Sequence, residues 1–239
     1  MADAVPATPT RQPLPTAPLV RRMRPKHLAM ALSKLTPHPC ADVTLEQYAT
    51  EGDLAAYWML AVDELDRVEN RVIADLGAGN GVLGVACLLL GAAHVHFYEC
   101  DEETEMVLKT NLAGLGETFA GRWTVHCVVL GQDDVDLSEV DIVVMNPPWG
   151  VQKSKADRPF LKAAFASKAQ SVHLLHSAGA AHVEAVGLGH GWDNEHVLRT
   201  DFRLPPTYTH HAKRKGKTEV QCWRFFRPGD ARLDTVNDE

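Results

Sequence analysis

From Val72 onward, short apolar runs alternate with segments of helical periodicity, and this alternation constrains the fold more than any other feature of the chain. Val72-Ile73-Ala74-Asp75-Leu76 reads as a buried strand, and Val82 to Leu90 as a helix. His94 to Glu99 is the next strand, followed by a helix from Glu102 to about Leu112. Trp123 to Val129 is strand-like, and Asp141 to Met145 is another buried strand. Phe160 to Ala169 reads as helix, then Val172–Leu175, Val197–Leu204 and Glu219–Phe226 as strands. Strands alternating with helices predict an α/β fold, with a mostly parallel seven-stranded sheet covered by helices on both faces. The last two strands lie close in sequence, so one of them is expected to run antiparallel.

Upstream, a short helix is expected from His27 to Leu35. A second is expected from Asp53 to Leu65, where Leu54, Trp58, Met59, Val62 and Leu65 recur at helical spacing. Residues 1–26 are rich in Pro, Ala and Thr and read as a disordered tail. One domain is expected over 27–229, followed by an acidic tail over 230–239. A chain of 239 residues with 45% hydrophobic content has ample material for one core. No apolar run approaches a membrane span, and the N-terminal stretch lacks a signal-peptide core. The five cysteines show neither zinc-ligand nor redox spacing, which predicts reduced thiols and a cytoplasmic protein, with the nucleus left open.

Asp75-Leu76-Gly77-Ala78-Gly79-Asn80-Gly81 ends the first strand of the alternation and opens a helix. Glycines there allow a tight turn and a close backbone approach to a ligand. A dinucleotide fingerprint would need a third glycine where Val82 stands. The observed spacing is the methyltransferase form, in which the turn faces a methionine moiety and a ribose. Glu99 ends the next strand, where an acid can accept hydrogens from both ribose hydroxyls. Asp101 is expected to cap the following helix.

Asn146-Pro147-Pro148-Trp149 follows the strand ending at Met145. Ligands of doubly wound sheets bind outside the carboxyl ends of the strands, so this segment and the glycine turn should share one edge. Two prolines stiffen the loop and leave carbonyls as its backbone polar groups. That suits a planar NH2 nucleophile such as adenine N6: the Asn146 oxygen and the Pro147 carbonyl can each accept one amino hydrogen, and Trp149 can stack on the base. Lys213-Arg214-Lys215-Gly216-Lys217 is the densest basic cluster, and Lys153, Lys155, Arg158 and Lys162 follow the Asn-Pro-Pro-Trp segment. With a net charge of -7, contact with nucleic acid has to rest on such local patches. The twelve histidines show no metal-ligand spacing, and no metal site is expected.

Taken together, Thr44 to Arg227 resembles the adenine-N6 methyltransferases of small-subunit ribosomal RNA, the family of methyltransferase-like protein five and its archaeal relatives. The resemblance rests on Leu45-Glu46-Gln47-Tyr48-Ala49-Thr50, the glycine turn, Glu99, Asn146 to Trp149, Phe160-Leu161-Lys162, and Leu204-Pro205-Pro206-Thr207-Tyr208 with His211. It implies a class I methyltransferase fold of Rossmann type and S-adenosyl-L-methionine as cofactor. It places Gln47, Tyr48, Thr50, Asp75, Gly77, Gly79, Gly81, Glu99, Cys100, Val128 and Asn146 around that cofactor. Asn146, Pro147, Pro148 and Trp149 would carry the chemistry. Lys153, Lys155, Tyr208, His211, Lys213, Arg214, Lys215 and Lys217 would meet RNA. It also implies a partner, a small zinc-binding activator protein that pairs with the strand 123–129, and no membrane.

One position departs from the family. An Asp that holds the cofactor adenine amino group is replaced by Val128, which leaves Gln132, Asp133 or Asp134 to reach in. Three other activities compete on sequence grounds: N5-methylation of a protein glutamine, DNA adenine methylation, and a cofactor-binding scaffold without turnover.

Overall fold

The computed structural model of the chain describes residues 23–39, 50–150, 154–203 and 217–229. Helices α1 (Pro25–Leu32) and α2 (Gly52–Asp66) precede the alternating part. The latter runs β1 (Val72–Leu76), α3 (Val82–Leu89), β2 (His94–Glu99), α4 (Glu102–Ala113), β3 (Trp123–Cys127), β4 (Ile142–Met145), α5 (Arg158–Ala166), β5 (Ser171–Ser177), α6 (Ala181–Gly189), β6 (Asp193–Arg203) and β7 (Lys217–Phe226). The strands form one seven-stranded sheet in the order β3-β2-β1-β4-β5-β7-β6. β7 pairs antiparallel with both neighbours, so of the last two strands it is β7 that reverses.

Side-chain alternation divides the core between the two faces. Ile73, Val95, Phe97, Ile142 and Val144 pack with α1 to α4, around Trp58, Met59 and Leu108. Ala74, Leu76, Val143, Met145, Val172 and Leu174 pack with α5 and α6, around Phe165 and Trp192. Every residue of α3 from Val82 to Leu88 is buried, which is why its sequence is apolar all round. The Asp101 side chain caps α4 by accepting from the Thr104 N–H at 2.8 Å.

Several elements differ from the sequence expectations. β3 stops at Cys127, not Val129, because the Val129 N–H turns away to Asp133 Oδ2 at 2.6 Å. α5 spans Arg158–Ala166 instead of Phe160 to Ala169. β6 starts at Asp193, ahead of Val197. α6 was not foreseen, since Gly187 and Gly189 weaken its helical signal. Gly187 instead lets the helix approach the sheet: a Cβ there would lie 2.4 Å from Phe225 Cε1.

Candidate functional site

The glycine turn and Asn146 both sit at the carboxyl edge of the central strands β1 and β4, which pair in parallel. Gly77, Gly79 and Gly81 have φ of 71°, 56° and 87°, a region that side-chain-bearing residues rarely adopt. The space above the turn is also tight. A Cβ on Gly77 would meet Phe160 Cε1 at 2.8 Å, and one on Gly81 would meet Leu108 Cδ1 at 2.5 Å.

Between the turn and the Asn-Pro-Pro segment lies a cavity of about 360 Å³. Gly77 to Asn80 form one wall and Val128 to Gln132 another. Glu99, Cys100, His38, Thr50, Asn146, Pro148, Lys155 and Phe160 complete the lining. Glu99 is 7% exposed and accepts three backbone N–H bonds, from Gly79 at 2.8 Å, Cys100 at 2.9 Å and Asp101 at 3.1 Å. Those bonds fix the carboxylate on the cavity wall: Oε1 takes two of them, and Oε2 keeps an acceptor site for a ligand hydroxyl.

Asp75 plays a different part from the one assigned by resemblance. It is not on the cavity wall. It lies under the turn, where its Oδ2 accepts the Gly84 N–H at 2.8 Å and anchors α3 to β1. Its Oδ1 is buried without a hydrogen-bond partner. Burial first, with the Glu99 charge adding to it, pushes this carboxyl up to about 8, against the lowering effect of the Gly84 N–H. Gly81 also stays off the wall and serves the turn itself.

At the opposite side, Asn146 is held from both ends. Its Nδ2 donates to Thr50 Oγ1 at 3.1 Å, and its Oδ1 accepts the Trp149 Nε1–H at 3.1 Å. The indole N–H is a donor only, so Trp149 settles which end of the amide is oxygen. Trp149 itself is 8% exposed and faces His176, with ring centroids 6.0 Å apart and planes at 29°. It is therefore not placed to stack on a base in the cavity, as the sequence suggested. Its N–H is bonded to Asn146 while its ring packs against His176. Pro148 reaches the wall, whereas Pro147 is buried behind it.

Two residues of this region had no sequence signal. His38 lies in a proline-flanked segment without periodicity, and its ring comes 3.1 Å from the Cβ position of Gly79. Burial lowers its basicity, offset in part by the nearby Glu99 and Asp101 charges. Asn111, on α4, stitches that segment to the turn: its Nδ2 donates to Thr36 O at 3.1 Å and Asn80 O at 2.9 Å, and its Oδ1 accepts from the Thr36 N–H at 2.8 Å. At the position of Val128, the cavity wall offers Gln132 as a polar side chain, while Asp133 is engaged with the Val129 N–H.

Gln47, Tyr48, Lys153, Tyr208, His211, Lys213, Arg214 and Lys215 lie outside the described residues. Lys217 opens β7, and Lys155 stands exposed at the cavity mouth. Among the described residues, Asp157, His176 and His182 bring their ligand-type atoms within 4.8 Å of one another, a grouping that sequence spacing did not reveal. No described helix is long and apolar enough to cross a membrane.

A glycine turn after β1, an acid at the end of β2, an Asn-Pro-Pro segment after β4 and a reversed β7 define a class I methyltransferase. The model of the methyltransferase small domain family matches residues 52–186, and the chain belongs to that family. A crystal structure of a candidate RNA methyltransferase from Pyrococcus horikoshii aligns with a TM-score of 0.76 and 38% identity, covering 86% of this chain and 98% of that one. An uncharacterized protein of Methanocaldococcus jannaschii is 31% identical over 87% of this chain and 96% of its own length. The rRNA N6-adenosine-methyltransferase of Danio rerio is 25% identical over 85% of this chain and 99% of its own length.

S-adenosyl-L-methionine fits this cleft. Glu99 offers a carboxylate acceptor to a ligand hydroxyl, the glycine turn lets backbone approach closely, and Val82, Leu83, Val128, Leu130 and Phe160 give apolar walls to a flat ring.

Proposed function

We propose that the chain transfers the methyl group of S-adenosyl-L-methionine to the exocyclic N6 of adenine in ribosomal RNA, specifically that of the small subunit. The Asn146 amide carries this reading. A hydrogen-bond acceptor on a proline-stiffened loop, oriented by a donor-only partner, is what a planar and weakly nucleophilic amino group requires. In this reading Asn146 Oδ1 accepts one N6 hydrogen and the Pro147 carbonyl accepts the other. These acceptors favour the positive charge that grows on nitrogen during transfer. Bound S-adenosyl-L-methionine supplies an electrophilic methyl group. The protein's part is to aim the amino nitrogen at it and to hold the ribose. The relationship to the Danio rerio enzyme favours RNA as the substrate. One catalytic domain spanning 27–229 suffices for this role, in the cytoplasm.

The Glu99 carboxylate holds the cofactor ribose. Glu99→Gln should weaken S-adenosyl-L-methionine binding about tenfold to a hundredfold, since hydrogen bonds to a charged acceptor contribute roughly 1.5–3 kcal/mol. Calorimetry reads this directly, and unchanged affinity would remove Glu99 from the cofactor site.

RNA docks through Lys155 at the cavity mouth, with Lys153, Tyr208, His211 and the basic run Lys213 to Lys217. The chain as a whole is acidic, with a net charge of -7, so attraction to RNA rests on these local charges. Neutralising Lys213, Arg214, Lys215 and Lys217 should flatten the salt dependence of RNA binding, each lost phosphate contact removing about 0.7 from the log–log slope for single strands. Superimposable slopes for wild type and mutant would place RNA elsewhere. β3 is an outer strand of the sheet, with Cys127 exposed and Val129 39% exposed just beyond it. An added strand from a small zinc-binding activator protein would cover that edge.

Mass spectrometry of small-subunit ribosomal RNA, with and without the gene, tests the substrate. Loss of an N6-methyladenosine supports the proposal, and an unchanged modification profile contradicts it.

A further inference from the structure

Asp157 is the last residue of the turn that follows the Asn-Pro-Pro-Trp segment, directly after Lys155 and Ala156 on the cavity wall. It is 2% exposed and faces two histidines of other elements. His182 Nε2, on the first turn of α6, makes a short hydrogen bond to Asp157 Oδ2. His176 Nε2, near the end of β5, lies 3.5 Å from the same oxygen, too long for a full hydrogen bond but aimed at it. The His176 ring faces Trp149, and Trp149 in turn holds the Asn146 oxygen.

Two histidines and a carboxylate can also make a metal site. The His176 ring argues otherwise. Its Nδ1 accepts the backbone N–H of Ser177 at 2.9 Å and lies 3.2 Å from the Ser177 hydroxyl, which can donate to it as well, so the tautomer with the proton on Nε2 satisfies both contacts. A metal would need that Nε2 lone pair, and moving the proton to Nδ1 would set two N–H groups against each other. With the proton on Nε2, a buried donor that has no hydrogen bond of its own points at a buried carboxylate. Burial pushes the Asp157 carboxyl up, but His176 and His182 outweigh it and hold it below the ordinary range, so Asp157 is charged at neutral pH.

We propose that Asp157, His176 and His182 form a clasp that fastens the loop bearing Lys155 and Ala156 to β5 and α6, and that sets the Asn146 amide through the His176–Trp149 ring contact. All three are positioning residues: they touch neither cofactor nor base. With the clasp, the cavity mouth and the acceptor for the nucleophile share one anchor. The inference rests on the reading of Asn146 given above.

Two readouts test it on the full chain. The first does not depend on any substrate. Long-range 1H–15N spectra of the histidine rings should show His176 as the Nε2–H tautomer, and elemental analysis should find no stoichiometric transition metal. An Nδ1–H tautomer, or one bound metal ion per chain, would overturn the clasp in favour of a metal centre. The second is kinetic. Asp157→Ala and His176→Phe, the latter keeping a ring beside Trp149, should each lower kcat by about tenfold to a hundredfold with KM for S-adenosyl-L-methionine nearly unchanged, as misplacement by about 1 Å does. Residues acting as one unit lose little more when removed together, so the double variant should resemble either single one. Unchanged kcat in the single variants, or losses that multiply in the double, would sink the proposal. A wild type that transfers nothing to RNA would instead count against the RNA reading, with the ring spectra still deciding the clasp.

Discussion

Asn146→Ala is expected to lower turnover by about 10²–10³-fold, the usual cost of losing one aimed polar group in the transition state, while S-adenosyl-L-methionine affinity stays nearly constant. The asymmetry follows from where the amide sits. Its nitrogen is bonded to Thr50 and its oxygen to Trp149, so it shapes the floor of the cavity without being the main hold on the cofactor. The growing charge on the nucleophile is felt at Oδ1 only as transfer proceeds, so kcat and kcat/KM should fall together. Asn146→Asp gives a second reading. It retains the oxygen that Trp149 needs but removes the donor to Thr50, so it should retain more activity than Asn146→Ala. Single-turnover kinetics on an RNA substrate, with cofactor binding measured in parallel, separates these effects. Comparable turnover in Asn146→Ala would take Asn146 out of the chemistry.

The largest effect on stability is expected at Arg224. This side chain on β7 is 1% exposed. Its Nε and Nη2 bond Asp66 at 2.8 and 2.6 Å, and its Nη1 bonds Glu195 at 2.7 Å. Removing one partner of a buried ion pair leaves uncompensated charge, which costs about 3–5 kcal/mol; Arg224→Ala strands two carboxylates, so the upper end is expected. Arg224→Lys should recover only part, because an ammonium cannot form the fork to Asp66. The same network makes the fold sensitive to acid. Burial pushes the Asp66 carboxyl up, but His173 and Arg224 outweigh it and hold it far below the ordinary range. A carboxyl depressed in the folded state contributes stability that is complete above its unfolded value of about 3.9 and is lost as pH falls below it. Burial lowers the basicity of His173 in the fold, against the raising effect of Asp66, so protonation of the unfolded chain adds to the loss below about pH 6.5. Urea titrations carried from pH 7 down to about pH 2 should therefore show falling stability for wild type, with a shallower fall for Arg224→Ala below about pH 4. Parallel curves would show that the network does not carry the pH dependence.

How much of this was readable in the sequence depends on whether a property is local. The central strands Val72–Leu76 and Ile142–Met145 read as short apolar runs, broken only by Asp75, and the glycine turn carries its constraint at three alternate positions. Glu99 was legible for the same reason, standing at a strand end opposite the turn. α6 was missed because its composition is glycine-rich and its placement depends on Phe225 and Phe165 across the sheet. The direction of Trp149 was also beyond local reading. An aromatic after Asn-Pro-Pro can face a base or the core, and the decision lies with His176, a residue on β5 far along the chain. Asn111 and Asp157 show the same limit. Each is an unremarkable polar residue until folding brings Thr36 and Asn80 to one, and His176 and His182 to the other.

The central claim is that the Asn146 cavity aims an adenine amino group at the methyl donor. The most direct measurement incubates the purified chain with isotopically labelled S-adenosyl-L-methionine and ribosomal RNA lacking its own methylations, with ribosomal and total protein offered in parallel. The RNA is then digested to nucleosides, and the label is located by mass spectrometry. Label is expected in N6-methyladenosine, confined to small-subunit RNA and absent with Asn146→Ala. Label appearing in N5-methylglutamine of protein, or in RNA at any base other than adenine, would contradict it.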